Sequence, residues 1–143
     1  MAKSVDILQK VLANMLDLGL VTKQAHWNIT GPNFLPVHTH LDLVYTQALA
    51  SQDLVAERIT ALKGFPDGRA ATVAATSSLA PAVEGKQVDT EVVEDFAKRL
   101  EGLSASISAM FADLEGDLAT QDILIGIVAG LDKDAWFFRS QMG

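Results

Sequence analysis

Residues 90–116 read TEVVEDFAKRLEGLSASISAMFADLEG. Within them Val93, Phe96, Leu100, Leu103, Ile107, Met110 and Leu114 recur at alternating steps of three and four. That rhythm lays one apolar stripe along a helix and is the pattern of helix packed on helix in a bundle. Thr90 is placed to cap this helix, Glu91 and Glu94 lie near its positive end, and Gly116 ends it.

The flanking segments repeat the pattern. Ile7, Leu8, Val11, Leu12, Met15 and Leu16 predict a first helix, capped by Ser4 and running to about Asn28, where Gly31 and Pro32 close it. A second starts near Pro36, carries Leu41, Val44, Tyr45, Ala48, Leu49, Val55, Ile59 and Leu62, and runs to about Lys63. Gly64 stops it, with Pro66 just beyond. Thr120 caps a fourth, from about Gln121 to Ser140. The apolar run ILIGIVAGL at 123–131 reads by itself as a buried strand. Its cap, its continuation to Ser140 and the lack of a partner strand make it helical. The connection between the second and third helices is long, and AATVAAT at 70–76 predicts a short helix within it. The expected fold is all-α: a ferritin-like four-helix bundle with a short extra helix in the crossover, residues 1–143 forming one domain.

Composition narrows the function. The chain has 143 residues, 49% of them apolar, enough for one core. There is no cysteine, so thiolate catalysis and cysteine-ligated metals are excluded. The net charge of −7, with Lys and Arg dispersed, disfavours nucleic acid. Asp6 and Asp17 among the first apolar residues argue against a signal peptide, and the longest apolar run is far short of the ~20 residues that span a bilayer. The expectation is a soluble, cytoplasmic protein without a membrane partner.

All three histidines fall in KQAHWNITGPNFLPVHTHLDLVY, residues 23–45. His38 and Asp42 are four apart on the second helix, as are Asp53 and Glu57, and eleven residues, about three turns, separate Asp42 from Asp53. All four project to nearly the same side, and His26, before the turn, can swing towards them. Imidazole with carboxylate suits Fe(II), Zn(II) or Mn(II), and an open site with few nitrogens favours iron redox work over a closed structural zinc site. Each pair alone is commonly a solvated surface or a satisfied histidine; five together are less readily explained so. His40, two residues from His38, points elsewhere and is read as a surface residue.

Distance constrains the arrangement. Asp42 and Asp53 lie ~16 Å apart along a helix axis, whereas metal–ligand bonds are ~2 Å. Either the chain has two half-furnished sites or the groups meet across an interface. An antiparallel two-fold pairing of this helix sets His38 and Asp42 of one chain against Asp53 and Glu57 of another, twice per dimer. An internal di-iron site uses Glu-x-x-His, which the sequence lacks.

KQAHWNITGPNF, followed by H-x-x-x-D and then DLVAERI, resembles the Dps family of miniferritins. The likeness extends through GRAATVAATSSL and GDLATQD…LDKDAWFFRS, so it covers most of the chain. It implies a hollow dodecamer that oxidises Fe(II) with hydrogen peroxide or oxygen and stores the ferric product, protecting against oxidative damage. It implies metal ligands His26, His38 and Asp42 from one subunit, with Asp53 and Glu57 from its two-fold mate, iron as the metal, and zinc or another divalent ion as a substitute. Trp27, beside the site, takes an auxiliary role as interceptor of stray oxidising equivalents; on residue type alone it is equally a packing aromatic. Acids lining the family's three-fold pores point to Asp117 and Asp122, though the helix dipole also favours aspartate there. Two departures stand out. Many members carry a lysine-rich tail that binds DNA, whereas here only Met-Ala-Lys precedes Ser4, and DNA binding is not expected. Residues 43–52, LVYTQALASQ, have no carboxylate to nucleate mineral. The expectation is therefore a ferroxidase. The alternatives are a nucleoid-type DNA-binding protein with a secondary metal site, or a metal-binding bundle without turnover.

Overall fold

A computed structural model describes residues 2–143. Helix α1 (Ala2–Asn28) packs along α2 (Phe34–Ala61), and α4 (Asp89–Ser108) along α5 (Leu118–Met142). The short α3 (Ala70–Thr76) lies in the crossover between the two hairpins and packs on α1. Its only buried side chain is Val73. The core runs the length of the bundle, with Leu8, Val11, Leu41, Val55, Ile59, Leu100, Leu124 and Phe138 sealed from solvent. The stripe at 93–114 is buried as the spacing requires, apart from the partly buried Met110. Among the described residues no helix is long and apolar enough to cross a membrane.

Several helix ends differ from the sequence expectation. Ser4 lies buried inside α1 rather than capping it. Helix α2 starts at Phe34, with Pro36 still in the first turn, where a missing N–H costs nothing. At its other end Lys63, not Gly64, takes the left-handed conformation, with φ 66°. The amides of Lys63 and Gly64 return to the Thr60 and Ile59 carbonyls, closing a Schellman motif. Gly64 is needed for space: a Cβ there would lie 2.9 Å from Ile59 Cγ2.

Helix α4 ends at Ser108, and a 3₁₀ turn, Phe111–Leu114, continues the buried stripe in place of the helix expected to reach Gly116. The serine-rich 104–108 stretch weakens that helix, and Ser106 bonds back to the Leu103 carbonyl. Thr90 does not cap α4; it sits within the first turn, and its amide donates to the Asp89 carboxylate. Thr120 does not cap α5 either. Asp117 does, accepting from the Thr120 amide, while Thr120 is fully buried.

A feature not expected from the sequence ties the two hairpins together. Strand β1 (Ile29–Thr30), between α1 and α2, pairs in parallel with β2 (Gln87–Val88), just before α4. Ile29 faces Gln87 and Thr30 faces Val88.

Candidate metal centre

His26 sits in the last turn of α1 and His38 in the second turn of α2, so the β1 turn folds one back over the other. His26 Nδ1 lies 2.8 Å from the His38 carbonyl, and His38 Nδ1 lies 2.8 Å from the His26 carbonyl. The rings stack 3.6 Å apart at 14°. Phe34 stacks against His38 with centroids 4.7 Å apart. A carbonyl only accepts, so in each ring Nδ1 carries the proton. Both Nε2 lone pairs are thereby left for a metal, with the tautomer fixed as metal-binding histidines require. Both side chains are half-buried.

Asp42 is exposed, one turn beyond His38. Its Oδ1 lies 2.6 Å from Lys23 Nζ, which also sits over the Tyr45 ring. The hydrogen bond from Lys23 holds the Asp42 carboxyl below the usual carboxylate range. Asp53 and Glu57 are exposed further along α2, and neither carboxylate has a hydrogen-bond or ion-pair partner among the described residues. Within one chain the described residues bring no three His, Asp or Glu side chains together around a metal. The structure thus joins His26 to His38 and keeps Asp53 and Glu57 apart from them. Trp27, beside His26, is 70% exposed, so most of its side chain is open to solvent.

His40 is not a surface residue. It is buried against α5, its ring stacked 4.2 Å from Phe138 and its Nε2 3.3 Å from Asp134 Oδ1. Two residues from His38 is about half a helical turn, which carries the side chain from the metal face to the bundle interior. Asp134, the buried partner, is ninety-four residues away in sequence.

The two pore candidates differ. Asp117 is 10% exposed and paired with Arg58 Nη2 at 2.9 Å. Burial pushes its carboxyl up, but bonds from Thr120, Ser4 and Arg58 outweigh this and hold it at about 2. Asp122 is exposed and free of such partners among the described residues.

Sequence reasoning missed Lys23 as partner of Asp42. Its place three residues before His26, on the same helix face, was the available signal.

With this geometry established, comparison with known proteins is informative. The family model for the ferritin-like domain matches residues 5–143. A protein of Agrobacterium fabrum named DNA protection during starvation protein is 34% identical over 96% of this chain and 86% of its own length. The protein of the same name from Brevibacillus brevis is 31% identical, covering 94% of this chain and 91% of its own. Dps92 of Deinococcus radiodurans superposes with a TM-score of 0.93 at 33% identity, over 97% of this chain and 85% of that one. Dps of Microbacterium arborescens, solved in a high-iron form, gives 0.92 at 33% identity, over 99% and 93%. The chain therefore belongs to the ferritin-like family, and within it to the Dps proteins.

Proposed function

We propose that this protein is an iron-oxidising Dps whose metal centre is shared between two copies of the chain. The observation that carries the reading is the reciprocal His26–His38 pair, which leaves two Nε2 lone pairs side by side with their tautomers fixed. Asp42 adds a carboxylate once an incoming cation displaces the Lys23 ammonium. The remaining ligands, Asp53 and Glu57, come from a two-fold-related chain, because ~16 Å of helix separates them from Asp42 of their own. Their exposure and lack of partners among the described residues support this.

Fe(II) is the substrate. Two ferrous ions held together give up one electron each to one hydrogen peroxide, whose O–O bond breaks to two waters' worth of oxygen without a free hydroxyl radical. With hydrolysis the balance is two Fe(II), one H₂O₂ and two waters to two FeO(OH) and four protons. Oxygen is a slower alternative oxidant in this reading. A dodecamer of 15.3 kDa chains, about 184 kDa, encloses the ferric product in the cytoplasm. A cation path into such a cage needs free negative charge, and of the two candidates Asp122 has it, whereas Asp117 is answered by Arg58. The high-iron form of the Microbacterium arborescens protein is in keeping with iron as cargo. Protection of DNA, the property for which relatives are named, comes here from removing Fe(II) and peroxide together rather than from binding duplex, given the net charge of −7. Stopped-flow mixing of the assembled protein with Fe(II) and then peroxide or oxygen tests the reading. Ferric absorbance should form far faster than without protein, and faster with peroxide; a rate equal to the protein-free control would reject it.

A further inference from the structure

The histidine pair depends on the 29–33 turn that folds α2 back on α1, and that turn is held from outside at its start by the β1–β2 pairing and at its end by a carboxylate. Asp89, the first residue of α4, is only 2% exposed. Its Oδ2 accepts from the Asn33 amide at 2.7 Å and its Oδ1 from the Thr90 amide at 2.8 Å. One carboxylate thus bridges the backbone of the turn to the backbone of α4, fifty-six residues away. Gly31, at φ 132°, lies directly against it: a Cβ there would come within 2.5 Å of the Asp89 carboxylate. The β1–β2 pairing fixes the adjacent residues, Ile29 to Gln87 and Thr30 to Val88.

Burying a carboxylate is costly unless its oxygens are well bonded, and no cation pairs with this one among the described residues. Starting α4 needs no such group, since an exposed Ser, Thr or Asp does that with less desolvation. The two hydrogen bonds of Asp89, one to the turn and one to α4, account for it. Both oxygens are acceptors, which suits two N–H donors; an asparagine would turn its NH₂ towards one of them.

We propose that Asp89 is a positioning residue for the metal centre: through the Asn33 amide it locks the turn in the conformation that sets His26 and His38 ring to ring. This rests on the reading of those histidines as metal ligands. Asp89 itself touches no metal.

The test is Co(II) titration of the assembled protein, followed by its visible ligand-field band, with thermal melting measured alongside. Asp89→Ala and Gly31→Ala disturb the clamp from its two sides without altering a ligand, and Asp89→Asn keeps one acceptor. Co(II) affinity should fall at least tenfold in both alanine variants and less in Asp89→Asn, with an altered band, at a temperature far below each melting point. A merely structural Asp89 would lower the melting temperature and leave affinity and band unchanged. His26→Ala is the control. If it binds Co(II) as wild type does, the histidine site is wrong. If it loses binding while the assembled clamp variants bind within twofold of wild type, the Asp89 role is wrong. If no clamp variant assembles, Asp89 determines the fold rather than the site, and the proposal is overturned.

Discussion

The two ends of the proposed ligand set on α2 are built in opposite ways. At its start, His38 is stacked on His26, bonded to a backbone carbonyl and packed against Phe34. Towards its end, Asp53 and Glu57 are exposed with no partner among the described residues. In the proposed centre the histidine half is preorganised within one chain, and the carboxylate half is completed only by something outside it. A preorganised half fixes geometry before metal arrives, so less ordering is left to binding. The free half can be supplied by a second copy without breaking anything in the first.

The comparison breaks most visibly at the histidines. His26→Ala or His38→Ala should slow Fe(II) oxidation by at least about 100-fold, the upper end of what even supporting residues around a metal cost. Each also removes a hydrogen bond worth roughly 0.5–1.5 kcal/mol, so thermal melting should show a lower midpoint. At the other end, Asp53→Asn or Glu57→Gln should slow oxidation by more than about tenfold with no fall in the melting midpoint. A stability loss there comparable to the histidine variants would erase the contrast.

Charge at the two aspartates of the α5 start gives a smaller effect. Asp117→Ala removes a cap worth ~1 kcal/mol and strands Arg58. The Asp117 carboxyl is held at about 2 against an ordinary 3.8. A depressed carboxyl adds stability that is fully present above its unfolded value and is lost as pH falls through its folded one. Wild type should therefore lose this increment between about pH 4 and pH 2, and an Asp117→Asn variant should show a shallower decline in melting temperature over that window. Asp122→Asn should leave melting unchanged and slow iron uptake, most at low ionic strength, where attraction is least screened. The smallest effect is expected with duplex DNA: no gel shift at about physiological salt without added divalent metal.

Much of this was legible in the sequence. The three-and-four spacing of 93–114 exposes the bundle because burial is imposed by repeating apolar side chains. The spacing of His38, Asp42, Asp53 and Glu57 marks a one-sided row of candidate ligands for the same reason of helical period. Helix ends were less legible. Ser4, Thr90 and Thr120 are good caps by type, yet the carboxylates of Asp89 and Asp117 meet the amides of Thr90 and Thr120 instead. His40 was misplaced because the residue that receives it, Asp134, is near only in the folded chain. The β1–β2 pairing joins backbone to backbone and the Asp89 clamp joins a carboxylate to a backbone amide, each between residues more than fifty apart, and neither leaves a periodic trace.

Complementation tests the shared centre most directly. One variant lacks His38 and Asp42; the other lacks Asp53 and Glu57. Assembled separately, each should oxidise Fe(II) barely above background. Refolded together in equal amounts, they should recover about a quarter of the wild-type rate, since half of the two-fold interfaces are then mixed and one of the two sites in each pairs an intact histidine half with an intact carboxylate half. A centre built within one chain predicts no recovery at any mixing ratio, and that result would contradict the account.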